Sequence, residues 1–283
     1  LTTKISNSNV TAQINHVGAE LFSIKNKENK EFMWEGNPKF WGKHSPVLFP
    51  IVGTLKNNSY SYNGIDYQLA RHGFARDMVF EVVQKNKNSV IFSLNSSEET
   101  RKTYPFEFEL QIIYTLIENS LMVEYKVFNK GNTIMPFSIG AHPAFALDGN
   151  FEKYSLEFEK EENLEYFLLE NDLIANKKKQ LELKNKKINL NYQLFENDAL
   201  IFKTLESNSI TILENLKPFL KVTFEDFPSL GLWTKIDASF ICIEPWFGYS
   251  DTNEHFGNLF EKEGIQVLSE NDIFNSKFSI EIL

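Results

Sequence analysis

The chain is predicted to be all-β: a large antiparallel β-sandwich with few short helices. Three observations carry this. Apolar and polar side chains alternate along most of the 283 residues, the period of a strand with one buried face. Aromatic residues make up 14% of the chain and Phe alone occurs 26 times, a composition that suits pleated, half-buried surfaces better than helices. The apolar runs are short and bounded by turn residues, without the long 3.6-residue periodicity of crossover helices. No composition break or low-complexity linker interrupts the chain, so residues 1–283 are expected to form a single domain around a sizeable core.

The elements follow in order. Tyr60–Tyr62 and Ile65–Tyr67 flank Asn63-Gly64, a strong short-range hairpin signal. Val79–Val83 and Val90–Leu94 flank a polar run and form a second candidate pair. Phe106, Phe108, Leu110, Ile112 and Tyr114 share one face of a strand, and Leu121–Phe128 continues after the Glu118-Asn-Ser120 connection. Further strands are expected at Tyr154–Phe158, Ala199–Lys203, Ile210–Leu213, Leu220–Phe224, Leu230–Lys235, Phe240–Glu244 and Phe278–Leu283. Helical turns are expected only at Glu98–Lys102 and Asn253–Lys262. The lysines at 177–179 and 184–187 read as a solvated, hairpin-like surface.

Composition narrows the function. Twenty-nine basic against 38 acidic residues give a net charge of −9, which argues against a nucleic-acid partner but leaves room for a small anion held by local positive charge. The one cysteine, Cys242, has no internal disulfide partner and lies in an apolar run, where it reads as a small core residue. A reducing, cytoplasmic compartment is the simplest expectation. Neither a signal-peptide pattern nor a membrane-length apolar run is visible, so no membrane partner is expected. Nucleotide-binding glycine loops, zinc-protease motifs and the G-x-S-x-G elbow are absent, and no metal or cofactor is expected. Imidazole and carboxylate chemistry remains, which means proton transfer.

Three stretches carry it. Phe240-Ile-Cys-Ile-Glu-Pro-Trp246 reads as a buried strand closed by Pro245, with Glu244 at its end. A carboxylate there needs a partner, a substrate or a proton. An ion pair with Arg71 or Arg76 is one reading and a general base is the other. Trp246 and Phe247 follow with flat apolar faces suited to the C–H faces of a sugar. In Arg71-His-Gly-Phe-Ala-Arg76, His72 sits beside a local cationic patch, and Gly73 permits a turn or a close approach. In Phe137–Phe145, His142 is either a core histidine bonded to a carbonyl or a proton-transfer group. Asp198 stands where a polar loop becomes an apolar strand and alone would read as a strand cap.

Together with His44–Gly53, these stretches (Arg71–Arg76, Gly140–Phe145, Phe195–Phe202 and Ile243–Gly248) resemble the aldose 1-epimerase (galactose mutarotase) family, in particular its LacX-like, mutarotase-related members. The motifs appear in the family's order and span most of the chain. The resemblance implies a supersandwich of twisted antiparallel sheets with an open cleft on one face, and an isomerase that interconverts the α and β anomers of a hexose. It implies that His142 is the general acid at the ring oxygen, Glu244 the base at the C1 hydroxyl, His72 a second histidine on the ring-oxygen side, and Asp198 a ligand of sugar hydroxyls. Relatives often carry an arginine after the glycine at 53; here Thr54 stands there, with Lys56 a nearby source of charge. Arg76 matches a position that faces the phosphate in hexose-6-phosphate mutarotases, although it could equally pair with Glu244 or Asp77. A free hexose is placed ahead of a hexose phosphate, with a non-catalytic carbohydrate-binding or sensing protein as the alternative from another class.

Overall fold

The structure is a computed structural model that describes residues 1–255 and 257–283. Two large antiparallel sheets dominate it. The nine-stranded sheet runs, from edge to edge, Lys187–Asn189, Tyr154–Phe158, Ser209–Glu214, Lys217–Thr223, Ile273–Ile282, Ser120–Asn129, Phe108–Ile117, Ser89–Asn95 and Glu81–Lys85. Its central strands show the alternation read from the sequence: Phe108, Leu110, Ile112, Tyr114 and Leu116 are buried in turn, and Leu121, Val123, Tyr125 and Val127 match them on the neighbouring strand. The second sheet runs Leu173–Leu181, Leu164–Glu170, Leu200–Phe202, Ser229–Trp233, Phe240–Phe247, Ile139–Ala141 and Val47–Leu48, with Ala144–Ala146 also paired to Phe240–Phe247. Its inward-facing Ile241 and Ile243 join one apolar cluster with Phe108, Leu110 and Ile112 of the first sheet.

Several expected elements form as read. The Asn63-Gly64 turn joins Ser59–Tyr62 to Ile65–Gln68. Ser97 caps the short helix Glu98–Arg101 through a reciprocal pair of bonds with Thr100, which satisfies helix N–H groups that would otherwise lack partners. Other elements differ. Before Tyr60 the sequence suggested no strands, yet Thr2–Ser6, Val10–Asn15 and Leu21–Asn26 form a three-stranded sheet. The expected helical turn at Asn253–Lys262 shrinks to a single 3-10 turn, Leu259–Glu261; position 256 of that expectation lies outside the described residues. Among the described residues, no helix is long and apolar enough to cross a membrane.

The strand expected to stop at Pro245 runs on to Phe247. On one edge it pairs continuously with Ser229–Trp233, including Leu230 opposite Pro245. The other edge is interrupted. Ile139 and Gly140 pair with Phe247 and Trp246, while Ala144–Ala146 pair with Cys242–Phe240. Both segments keep one register, and Pro143 in the gap has no N–H to offer a ladder. Pro245 falls within the same interrupted stretch, so its missing N–H costs no bond on that edge.

Candidate active site

That interruption builds the site. Carried across the gap, the shared register sets His142 directly opposite Glu244, and cross-strand neighbours point to the same face. His142 Nε2 lies 3.3 Å from Glu244 Oε2. On the far side of the strand Gly231 is paired with Glu244, and Ile201 with Gly231. The face thus reads, across four strands, His142, Glu244, Gly231, Ile201. Trp246, two residues beyond Glu244 on the same face, spreads its indole over Gly140 and Gly231. A Cβ on either glycine would come within 2.4 Å of the ring. The Trp246 Nε1–H donates to the carbonyl of Ala141 at 3.2 Å, which pins the ring.

This face floors a cleft of about 680 Å³, well within the range of small-molecule sites. Trp41, Trp233, Leu169 and Phe195 line it beside Asp198, and Arg71, His72 and Arg76 complete it. Trp41 stacks on the His142 imidazole with centroids 4.7 Å apart, and Trp233 meets the same ring edge-on at 5.7 Å. Neither tryptophan stood out in the sequence. Trp41 lies in a polar segment without periodicity, and Trp233 looked like one more apolar residue of a strand.

His72 joins His142 in the same cleft, their rings edge to face at 5.9 Å. Burial, together with His142, Arg71 and Arg76, holds the His72 pKa well below the ordinary histidine value, so its imidazole is neutral. The Gly53 N–H donates to His72 Nδ1 at 3.1 Å. A neutral imidazole carries one proton, so accepting from this amide goes with a proton on Nε2. Arg71 Nε also directs its N–H at Nε2, at 3.3 Å, and the neutral ring can accept only one of these two donors; the backbone amide makes the shorter contact. In this tautomer His72 Nε2–H is the donor, and Arg71 is anchored instead by Asp172 at 2.8 Å. Both His72 and Gly73 have positive φ. At Gly73 the approach of the Phe49 carbonyl, 2.3 Å from where a Cβ would sit, leaves room only for glycine.

Electrostatics drive the central pair towards neutrality. Burial, and to a lesser degree the nearby arginines, pull His142 down to about 3, while burial pushes the Glu244 carboxyl well above the usual carboxylate range. Both side chains are nearly solvent-inaccessible, Glu244 at 1% and His142 at 8% exposure, so a ligand must seat deeply to touch them. Although Nε2 and Oε2 are close, their geometry falls short of a hydrogen bond. Glu244 Oε2 and His142 Nδ1 are buried without partners, as is Arg76 Nε. Unpaired buried polar atoms are costly, and these three belong to residues that line one cleft.

The other sequence-derived residues divide. Asp198 lines the cleft at φ +75°, and its Oδ1 accepts from the Ala199 N–H at 2.8 Å, so it caps its strand and faces the cleft at once. Arg76 lines the cleft, donating through Nη2 to the Arg71 carbonyl at 2.8 Å; it makes no pair with Glu244, and its Nε lies 3.6 Å from Asp77. Lys56 does not line the cleft. Asp251 Oδ2 captures its backbone N–H, and its ammonium turns away to the carbonyls of Asn253, at 2.6 Å, and His255. The Thr54 side chain is buried behind the same loop. Cys242 Sγ comes within 4.8 Å of the ligating atoms of His142 and Glu244. A cation there would need its thiolate, and burial beside Glu244 pushes the thiol well up.

Residues 2–263 match the family model described as aldose 1-epimerase. The chain belongs to the aldose 1-epimerase family. Protein LacX of Lactococcus lactis subsp. lactis, in its chromosomal form, is 35% identical over the full length of both chains. A galactose mutarotase related enzyme from Lactobacillus acidophilus is 35% identical with a TM-score of 0.95, covering 100% of this chain and 97% of that one. A galactose mutarotase-like protein from Lactobacillus casei is 30% identical with the same TM-score and full coverage of both chains. The expected mutarotase-like β-sandwich is therefore the fold of this family member.

Proposed function

We propose that the protein is an aldose mutarotase that interconverts the α and β anomers of a hexose by acid–base ring opening. The carrying observation is the His142–Glu244 juxtaposition at the ladder gap, 3.3 Å apart at the floor of a sugar-sized cleft.

Ring opening needs a proton delivered to the ring oxygen and one removed from the C1 hydroxyl. The two oxygens share one carbon, so the acid and the base must stand side by side, as a cross-strand pair does. His142 is the acid and Glu244 the base. Opening starts from the charged arrangement of the pair, in which its one proton has passed from Glu244 to His142; it transfers one proton from the imidazolium to the ring oxygen and one from the hydroxyl to the carboxylate. The sum leaves a neutral imidazole and a protonated Glu244, the form that burial favours. The pair thus carries a single proton throughout, and closure on the opposite face of the aldehyde returns it to the starting state. His72 Nε2–H supports the ring-oxygen side, Asp198 accepts from hydroxyls, and Trp246 and Trp41 offer apolar surface to C–H groups.

Anomer interconversion followed by polarimetry on glucose and galactose tests this. Enhancement over buffer that Glu244→Gln abolishes is expected. Saturable sugar binding with no enhancement would instead make the protein a carbohydrate-binding member of the family. A second reading, a hexose phosphate as substrate, is favoured by Arg76 Nε, which is buried in the cleft without a hydrogen-bond partner. A guanidinium is a good fork for phosphate.

A further inference from the structure

The Nε2–H tautomer of His72 is favoured by one backbone amide, that of Gly53, against the competing Arg71 Nε–H, and the loop bearing that amide is gripped from behind. Ser250 Oγ accepts from the Thr54 N–H at 2.9 Å. The Asp251 N–H donates to the Thr54 carbonyl at 2.9 Å, and Asp251 Oδ2 accepts from the Lys56 N–H at 2.9 Å. The other carboxylate oxygen, Oδ1, accepts from Lys262 Nζ at 3.0 Å, and the same ammonium donates to the carbonyl of Tyr249. The Asp251 carbonyl accepts from the Ile174 N–H at 2.8 Å, tying in the hairpin that carries Leu169 of the cleft wall. Asp251 and Lys262 are 3% and 2% exposed, and Ser250 is 5% exposed. Burial pulls the Lys262 ammonium down and Asp251 is the first group to oppose it. A desolvated lysine that keeps its charge here does so because of this carboxylate.

The geometry points to Ser250, Asp251 and Lys262 as positioning residues for the second histidine: they fix the Gly53–Lys56 loop, whose amide holds His72 with its proton on Nε2, facing the substrate. Ser250 and Asp251 emerge from the chain only a few residues beyond Glu244, just past the strand that bears it, and Lys262 follows at the end of the Leu259–Glu261 turn. The clamp therefore sets the imidazole and the carboxylate in one frame although they are far apart in sequence. Fit is close: a Cβ on Gly53, at φ +73°, would lie 2.2 Å from Ser250 Oγ. The inference about catalytic consequence rests on the mutarotase reading; the inference about the tautomer does not.

The test uses the full chain labelled with 15N. In the unmodified protein, a trans-hydrogen-bond coupling between the Gly53 amide and His72 Nδ1, with His72 ring shifts reporting an Nε2–H tautomer, is expected. An absent coupling, or a proton on Nδ1, overturns the proposal without recourse to a variant. Ser250→Ala and Lys262→Met are then expected to weaken the coupling and mix the tautomers. Both should lower kcat for anomer interconversion roughly tenfold to a hundredfold, the scale of a small misplacement of a catalytic group, with a smaller change in KM. Folded variants that keep the wild-type His72 shifts and kcat overturn it. Altered His72 shifts in a protein with no anomerisation even as wild type would sink the mutarotase reading and leave the clamp standing.

Discussion

The shared proton makes a prediction about stability that is independent of catalysis, and Glu244→Gln is the perturbation that isolates it. An unfolded glutamate titrates near 4.5 and an unfolded histidine near 6.5, whereas in the fold His142 is held down to about 3 and Glu244 well above 4.5. Between pH 4.5 and 6.5 the unfolded chain therefore carries one proton on these two side chains, on histidine. The folded chain also carries one, on Glu244, wherever the pH lies below its raised pKa. Equal proton counts mean no slope, so the pair contributes no pH dependence to wild-type stability in this window. The result is the same whichever atom holds the proton, because only the count enters.

The glutamine of the variant cannot titrate, and the balance breaks. His142 alone then sets the slope. Its folded pKa is depressed, so stability is present above its unfolded value and is lost as the pH falls through 6.5 towards about 3. Each full pH unit is worth roughly 1.4 kcal/mol, so between pH 6.5 and 4.5 the variant loses roughly 2 kcal/mol more than the wild type. Above pH 6.5 the difference continues in the same direction: the variant is now level, whereas the wild type, whose folded Glu244 keeps a proton that the unfolded glutamate has already lost, declines with rising pH until the raised pKa is passed. Urea unfolding at fixed pH measures both curves, and titrations common to the two proteins cancel in the difference. Parallel curves from pH 4.5 to 6.5 would refute the shared-proton account. The same variant should lose roughly 10²–10⁴-fold in anomerisation rate, the usual contribution of one acid–base group.

Three further outcomes are expected. His142→Gln leaves Glu244 as the lone titrating member, so its stability should fall as the pH rises above 4.5, by urea unfolding, in mirror image to Glu244→Gln. Gly231→Ala puts a Cβ 2.4 Å from Trp246 Cη2, and the overpacking should cost about 1–3 kcal/mol in thermal unfolding and raise KM as the indole leaves the cleft floor. Arg76→Ala should leave turnover of free hexose within a few-fold of wild type; if the hexose-phosphate reading holds, KM for glucose 6-phosphate rises at least tenfold in steady-state assays, the loss expected of a charge-assisted contact.

Why some of this was legible in the sequence and some was not follows from the range of the interactions. Strands with one buried face announce themselves by local alternation, so Phe108–Ile117 and Ser120–Asn129 could be read directly. The site-bearing strand could not be read to its end. Its proline is a stop signal locally, and only the interrupted partner edge, made by residues a hundred positions earlier, lets the strand continue to Phe247. Glu244 was conspicuous because a carboxylate in an apolar run demands a partner, whereas Trp41 carried no such signal: stacking on His142 is a relation between remote segments. Lys56 was misplaced for a related reason. A free cation beside a glycine loop looks available to a ligand, but its direction is set by Asp251, nearly two hundred residues away, which takes the backbone N–H and turns the side chain from the cleft. Side-chain type is a local property and side-chain aim is not, so sequence nominated His142, Glu244 and His72 while the contacts that orient them had to come from the fold.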